Sequence, residues 1–433
     1  MTERPSQIPP PVPPPVLPPV MPPSPGPTPR ATPTAGPGAT KPGRPAVLGP
    51  AGLRTAAFYA AVFGALGVHL PFWPLWLTDR GLSPAEIGVF GAVGMAARVV
   101  AGFVLPALAD RWDARRHMLL ALGLLGLVAT LAHLIAPDLV WLMVATLALA
   151  AAFAGLVPVG DALGSAAARV HGFGYAEVRS AGSASFLLVS LAMGAAIGAV
   201  GPGAAPWVLA GFMALSAWTG LTHPGGGRAK AARRPTMAEI RTLAAAPVFV
   251  LFIIAIGLAQ SSHGVYYAYG SVHWRALGLS DAWIGALWAF GVAVEVLLMA
   301  VYGGALIRRF GAAGAIALSG AAGLLRWTAM AFDPTGIALW ALQALHALSF
   351  AAGHLGAIAF IAAAAPERLA AAAQGIFGAV AGGALTAASM ALAAAVYPWA
   401  GGGTYALAAV MSGGGLVFAL ILARRWDGRA LTS

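Results

Sequence analysis

Polar side chains recur at helical spacing in two otherwise apolar stretches of the chain, and three of them are histidines. Both sets follow the spacing i, i+3, i+7 and i+11: the first stripe is Gln260, His263, Tyr267 and Ser271, and the second is Gln343, His346, Phe350 and His354. At about 100° per residue, each set lies within an arc of roughly 80° on one helix face. Histidine has an unperturbed pKa close to physiological pH, which suits it to relaying protons. The stripes therefore predict a polar cavity with proton-relay capacity; the alternative is that they only hydrogen-bond neighbouring helices together.

A few ionisable side chains also interrupt the apolar stretches, where each costs on the order of 3 kcal/mol unless it is paired or hydrated. Glu295 and Arg326 lie at similar depth on consecutive stretches, which predicts a pair that either responds to a proton or is fixed. Asp161 and Arg179 flank a short break and predict a second couple, unless Arg179 only anchors the helix at the membrane surface. Arg98 is interpreted as a structural counter-ion.

Several kinds of chemistry are excluded by what the sequence lacks. There is no cysteine, which removes disulfides, thiolate metal sites and cysteine nucleophiles. No phosphate-binding glycine loop, Ser-His-Asp arrangement or metal-ligand cluster is present. The basic residues are spread thinly between apolar runs, so they do not form a nucleic-acid-binding face. We therefore expect no enzymatic activity, no cofactor, no metal and no nucleic-acid partner.

The elements that must position these residues are membrane-spanning helices. Of the 433 residues, 59% are hydrophobic and only 9% are charged, whereas soluble proteins carry roughly 25% charged residues. Apolar stretches of about 20 residues alternate with short polar breaks, and each stretch is long enough to span a bilayer. The sequence thus predicts an all-α membrane protein with twelve transmembrane helices at 55–77, 84–108, 117–136, 139–166, 178–200, 206–222, 247–272, 282–306, 314–332, 336–364, 375–396 and 404–423.

The longest polar interruption between the predicted spans divides them six and six. Nineteen of the 33 prolines lie in the first 50 residues, which predicts a disordered, extended tail that is either passive or a ligand for a partner domain. The predicted organisation is a proline-rich tail (1–52), an N-terminal six-helix bundle (53–222), a central loop (223–246), a C-terminal six-helix bundle (247–425) and a C-terminal tail (426–433).

The basic residues predict the orientation of the spans. With both termini in the cytoplasm, 21 of the 25 Lys and Arg residues fall in cytoplasmic segments, and only Arg80 and Arg275 fall in the opposite loops. This bias is typical of a multi-pass plasma membrane protein, here of a bacterial inner membrane. The aromatic residues Phe72, Trp73 and Trp76 close the first span and predict an interfacial belt.

Short motifs in both halves match a known transporter pattern. They are Leu70–Leu77, Gly81–Pro84, Leu108–Arg111, Gln260–Tyr267, His273–Trp274, Gly291–Glu295, Leu325–Trp327 and Gln343 with His346 three residues later. Together they resemble the major facilitator superfamily, in the branch that holds the 3-phenylpropionate and lactose permeases. The resemblance covers residues 55–425, although Pro106 and Asp113 stand where the superfamily's loop motif usually has glycines.

The resemblance implies a proton-coupled importer in which two pseudo-symmetric bundles rock about a site near the membrane midplane. The residues expected to couple protons are Glu295, Arg326, His346 and His263. Those expected to bind substrate are Asp161, Arg179, Gln260, Tyr267, Gln343 and His354. Ser349 stands where lactose permease has its proton-carrying glutamate, so Glu295 or a histidine must take that role.

The leading functional hypothesis is proton symport of a small organic anion, such as an aromatic carboxylate, by a monomer in the lipid bilayer. Two alternatives also involve transport: proton symport of a sugar or nucleoside, and export of a drug or metabolite. A third alternative is a membrane sensor or scaffold that recruits a partner through the proline-rich tail.

Overall fold

The described part of the protein is built from helices alone. A computed structural model describes residues 49–225 and 236–431, and these two ranges contain no strand. The predicted disordered tail, up to residue 48, and the middle of the central loop, 226–235, lie outside the described residues. The α-helices within them are α1 (Pro50–Asp79), α2 (Pro84–Arg111), α3 (Arg115–Ile135), α4 (Leu139–His171), α5 (Tyr175–Val200), α6 (Ala204–Leu221), α7 (Met237–Ala245), α8 (Pro247–Ser261), α9 (His263–Ala276), α10 (Asp281–Leu297), α11 (Gly303–Met330), α12 (Gly336–Ala344), α13 (Gly353–Ala364), α14 (Ala370–Phe377), α15 (Leu385–Ala400) and α16 (Tyr405–Arg425).

Ten continuous helical stretches of the described chain are long and apolar enough to cross a membrane. Eight of them contain 18 to 33 residues, but Asp281–Met330 contains 50 and Glu367–Arg425 contains 59. Gly311 in the first long stretch has φ 67°, and Gly401 in the second has φ 53°. Positive φ is incompatible with a right-handed helix, and glycine adopts it without a steric penalty. Each long stretch therefore changes direction at a glycine.

Helix ends follow local signals in the sequence. Ser83 caps α2: its side chain accepts a hydrogen bond from the Glu86 amide, and Pro84 occupies the first turn. α4 ends at Gly172, which adopts the left-handed conformation favoured at helix C-termini. Two boundaries differ from the expectation, because α1 already begins at Pro50, inside the expected tail, and α7 lies within the expected central loop.

Within the described residues, three π-helical segments interrupt the helices of the C-terminal half: Leu298–Tyr302, Ala347–Ala352 and Gly378–Ala384. A π turn holds one more residue than an α turn, and it is often found at functional sites. Side chains from neighbouring helices use carbonyls of the middle segment: Gln260 Nε2 donates to Phe350 O at 2.9 Å, and Ser319 Oγ donates to Ser349 O at 2.6 Å. The widened turns thus help to fix where the helices meet.

The two halves meet closely at the end of the molecule that holds the α1–α2 turn. There, α5 and α10 cross at Gly194 and Gly285, and a Cβ atom on Gly285 would lie 2.5 Å from the Ser190 carbonyl oxygen. Only glycine permits that approach. Nearby, Tyr269 Oη on α9 donates to the Pro84 carbonyl at the start of α2, at 2.7 Å. Hydrogen bonding and backbone contact therefore join the halves at this end.

Candidate functional site

Arg326, on α11, is the centre of a buried polar network in the C-terminal half. Its side chain is fully buried, and its guanidinium group donates to His346 Nδ1 at 3.0 Å, to Gln343 Oε1 at 2.5 Å and to Ser349 Oγ at 3.3 Å. The guanidinium carbon also lies 4.3 Å from the centre of the Trp327 ring, a cation–π contact. The charge is thus held by neutral groups rather than by a carboxylate in direct contact.

His346 links this cation to Glu295, on α10. Its Nε2 atom lies 3.3 Å from a Glu295 carboxylate oxygen, while its Nδ1 atom faces Arg326. Arginine can only donate hydrogen bonds, so Nδ1 accepts and the ring hydrogen resides on Nε2, the nitrogen nearer the Glu295 carboxylate. A second proton on this ring would place two donors against each other. In this arrangement His346 is a neutral bridge between the Glu295 carboxylate and the Arg326 guanidinium group.

The sequence predicted a direct pair between Glu295 and Arg326, and that prediction is wrong for this structure. No ion pair between the two is found among the described residues, because the His346 ring occupies the space between them. The positions of Glu295 and Arg326 on consecutive stretches predicted that they lie at the same depth in the membrane. They did not predict which side chain lies between them.

The two polar stripes meet at this network. His263 Nδ1 donates to the Gln260 carbonyl at 3.0 Å, and its Nε2 lies 3.4 Å from Ser349 Oγ, which also accepts from Arg326. On the other helix, the His346 ring stacks on Phe350, and Phe350 on His354. The structure thus brings the predicted residues together, while their part in transport stays a prediction.

Two of the predicted substrate residues have different surroundings from those expected. Gln343 uses both amide hydrogens, toward Tyr266 Oη and the Leu287 carbonyl, each at 3.1 Å, so neither remains for a substrate. Tyr266, which sequence reasoning missed, supplies the network hydroxyl, whereas Tyr267 lines a separate cavity. Helical spacing favoured Tyr267 because it continues the stripe, and no sequence signal distinguished its neighbour.

Asp161 and Arg179 form the predicted couple in the N-terminal half. Arg179 Nε lies 3.3 Å from Asp161 Oδ1, and the hydroxyls of Tyr59 and Tyr175 donate to the same oxygen at 2.9 Å. The guanidinium group also packs over the Phe63 ring at 4.1 Å. Tyr59 was not found from the sequence, since it lies about a hundred residues away on α1. The cluster is satisfied internally, and whether it binds substrate stays a prediction.

A cavity of about 80 Å³ lies between helices of both halves. We call it the central cavity. Most of its walls are apolar or aromatic; the lining includes Leu70, Trp73 and Pro74 from α1, Phe90, Met95 and Arg98 from α2, Tyr267 from α9 and Met390 from α15. Trp73 and its neighbours Phe72 and Trp76 are at most 5% exposed, so the expected interfacial belt is wrong: these rings pack inside the bundle.

Two polar groups of the central cavity have unusual surroundings. Arg98 has no carboxylate within ion-pair distance among the residues that the structure describes, and its guanidinium carbon lies 5.1 Å from the centre of the Phe153 ring. The expected counter-ion role is therefore wrong in this conformation. His69 also faces the cavity, and its buried Nδ1 has no hydrogen-bond partner in the described chain. Sequence reasoning did not connect these two residues, because they lie on different helices.

The fold and the buried charges define a membrane transporter, and comparison with known proteins gives its family. The model of the MFS_1-like family matches residues 53–404, most of the chain, so the protein belongs to this family of the major facilitator superfamily. The chain is 28% identical, over 363 residues, to the "Probable 3-phenylpropionic acid transporter" of Escherichia coli (strain K12), a match that covers 82% of this chain and 93% of the relative. The expected family and the expected absence of enzymatic activity are thereby confirmed.

Solved structures support the same fold at lower sequence identity. The nucleoside transporter NupG, in a variant form, aligns with a TM-score of 0.76 at 15% identity and covers 87% of this chain and 99% of its own. A bacterial homologue of the human lysosomal transporter Spinster aligns at 0.62 and 14% identity, over 86% of this chain and 94% of its own. At this identity the likeness concerns the fold alone.

Proposed function

We propose that this protein imports a small organic anion, an aromatic carboxylate, together with a proton by alternating access. The observation that carries the proposal is the buried series Glu295–His346–Arg326. It places an acid and a permanent cation on either side of a neutral imidazole inside a membrane protein. Intramembrane ionisable groups in this arrangement are typical of proton pathways in transporters.

In the proposed mechanism, Glu295 is the group that carries the proton. Its side chain is 14% exposed, so a proton can reach it, whereas Arg326 is fully buried. Because Arg326 occupies His346 Nδ1, the imidazole cannot readily take the proton itself. Protonation of Glu295 removes the negative end of the series and leaves Arg326 as an uncompensated cation. The C-terminal half then carries one more net positive charge inside the membrane, which favours entry of an anion into the transport path.

An aromatic acid is supported by two independent considerations. The relative that covers most of the chain is named as a probable transporter of 3-phenylpropionic acid. The cavity walls are rich in aromatic and apolar side chains, with few polar groups to bind the hydroxyls of a sugar. A recognition site of this composition suits a carboxylate attached to an apolar body.

We also propose twelve crossings in two six-helix bundles, with both termini in the cytoplasm. The breaks at Gly311 and Gly401 support this number, since each divides a helical stretch of 50 or 59 residues that far exceeds the length needed to cross once. With the two divisions, each half contains six spans. The bias of basic residues supports the orientation.

The test is uptake into proteoliposomes of radiolabelled 3-phenylpropionate under an imposed pH gradient. Wild-type protein should accumulate the acid, and collapsing the gradient should abolish accumulation. Glu295→Gln should lose accumulation but keep exchange of labelled for unlabelled acid, because exchange needs no net proton movement. The matched control is Glu177→Gln, an exposed carboxylate that should retain full accumulation. Normal accumulation by Glu295→Gln would show that Glu295 has only a structural role.

Nucleoside symport is the second candidate, favoured by the Asp161–Arg179 couple, whose paired charges can bind hydroxyl-bearing ligands. Competition distinguishes the two: an excess of unlabelled uridine should leave uptake of the labelled acid unchanged if the first proposal holds.

A further inference from the structure

We propose that the central cavity binds the carboxylate of the transported acid, with Arg98 as its ion-pair partner and His69 as a hydrogen-bond donor. This inference rests on the proposed function, because it specifies where an organic anion would be recognised. It concerns the N-terminal half and the interface between the halves, and not the buried network around Arg326.

Arg98 is a cation in the wall of the central cavity. The cation lies on a membrane-spanning helix, where an unpaired charge is costly. It makes a cation–π contact with Phe153, and among the described residues it has no acidic partner. Guanidinium binds carboxylate through two parallel hydrogen bonds, and such bonds are roughly twice as strong as those between neutral groups. An anionic ligand is the partner that this residue lacks.

His69, on the neighbouring helix α1, lines the same cavity. Its Nδ1 atom is buried and unpaired within the described chain, although buried polar atoms normally have partners. The ring is held in place by stacking on Trp73 at 5.6 Å between centroids and by contact with Phe153 at 5.0 Å. Arg98 and His69 therefore share Phe153 as a neighbour and line the same cavity.

The remaining walls of the central cavity suit the apolar body of such a ligand. Trp73, Phe90 and Tyr267 offer aromatic surface to an apolar ligand body, and Met95 and Met390 are flexible side chains that can adapt to its shape. At about 80 Å³, the cavity is smaller than the roughly 150 Å³ engineered cavity that binds benzene. A ring of that size needs the walls to move apart. Because the walls come from both halves, binding would be coupled to their relative position.

The Asp161–Arg179 cluster is a weaker place for the carboxylate. Arg179 is already neutralised by Asp161, and two tyrosine hydroxyls complete the hydrogen bonding of that acid. An incoming carboxylate would have to approach an existing negative charge. Among the described residues, no carboxylate lies within ion-pair distance of Arg98, so no negative charge repels the ligand there.

The inference is tested by the preference of the purified protein for an acid over its neutral analogue. Isothermal titration calorimetry would compare 3-phenylpropionate with 3-phenylpropionamide. Wild-type protein should bind the acid at least about tenfold more tightly, as expected for a charge-assisted pair. Arg98→Gln should bring the ratio close to one, Arg98→Lys should give an intermediate ratio, and Arg169→Gln, an exposed arginine, should keep the wild-type ratio. The ratio of the two affinities does not depend on the fraction of the protein that is folded, because only folded protein binds either ligand.

A second measurement leaves Arg98 intact. Because the chain has no cysteine, Met95→Cys places a single thiol in the central cavity. The acid should slow alkylation of this thiol severalfold, and the amide should not.

Two results would overturn the inference and leave the proposed function intact. One is an unchanged ratio of acid to amide affinity in Arg98→Gln, and the other is alkylation of the Met95→Cys thiol that the acid does not slow. Loss of the ratio in Arg179→Gln instead would move the carboxylate to that cluster. If wild-type protein neither binds nor accumulates the acid, both the proposed function and the inference fail.

Discussion

At the residue scale, Gln343 shows how a predicted substrate ligand can instead hold the site together. Its carbonyl oxygen accepts from Arg326, and its amide donates to Tyr266 and to the Leu287 carbonyl. Every one of these partners is buried and would lose a hydrogen bond if the amide were removed. The residue therefore organises the network, and its effect on transport is expected to come through stability.

Gln343→Leu should lower the free energy of unfolding by about 1–3 kcal/mol, since it leaves the buried Arg326 donor without its acceptor and two buried acceptors, Tyr266 Oη and the Leu287 carbonyl, without their donor. Thermal unfolding in detergent would measure the change. Gln374→Leu, at an exposed position on α14, is the matched control and should change stability little. Unchanged stability together with lost acid binding in Gln343→Leu would instead support the direct substrate role expected from the sequence.

The sequence predicted the charged and histidine members of the network, but it did not predict Tyr266 or the way in which the members are connected. Glu295, Arg326, His263 and His346 stood out because polar groups are rare in apolar stretches, and the structure gathers all four. The bridging position of His346 depends on side-chain packing, which spacing does not encode. Arg98 was interpreted only as a structural counter-ion for the same reason: what distinguishes it is the lack of an acidic neighbour among the described residues, and only a three-dimensional arrangement shows that.

At the scale of elements, the crossing of α5 and α10 is set by glycine. A Cβ atom on Gly285 would lie 2.5 Å from the Ser190 carbonyl oxygen, so even alanine must push the helices apart. We expect Gly285→Ala to weaken the contact between the halves at this end and to make the central cavity more accessible.

A single thiol introduced by Met390→Cys would report this opening, since the residue lines the central cavity. Its alkylation rate should rise severalfold when Gly285→Ala is added. Gly198→Ala is the control, because nothing lies within 4 Å of the Cβ position at that glycine on α5. An equal rate in both double variants would mean that the crossing does not hold the cavity closed.

The sequence predicted the positions of the helices better than it predicted which residues share one helix face. The apolar stretches located the helices to within a few residues, because length and hydropathy determine them directly. The second stripe, however, crosses the π segment Ala347–Ala352, where the angle per residue differs from that of an α-helix. The position of His354 relative to Gln343 could not be obtained from a uniform 100° step.

At the scale of the whole molecule, the number of crossings and their orientation can be tested together. Twelve spans with cytoplasmic termini place Thr335 outside the cell and Arg309, next to the Gly311 break, inside. In the chain without cysteine, Thr335→Cys should react with a membrane-impermeant thiol reagent on intact cells. Arg309→Cys should react only after the membrane is made permeable. Gly203→Cys, in the turn before α6, is the control for an external position.

Reaction of the thiols at 335 and 309 from the same side would contradict the proposed twelve crossings.

The sequence supported the number twelve through polar breaks, and the family model now supports the class of protein. The residues up to 48 lie outside both the described structure and the family match, so the role of the proline-rich tail stays a prediction.

The hydrogen bond from Tyr269 to Pro84 has a consequence for how the protein tolerates mutation. The acceptor is a main-chain carbonyl, and every amino acid offers the same atom at that position. Substitution of Pro84 therefore leaves the bond possible, whereas Tyr269→Phe removes it outright. On the α2 side the sequence constraint falls instead on Gly88, where an added Cβ atom would clash with the Tyr269 hydroxyl.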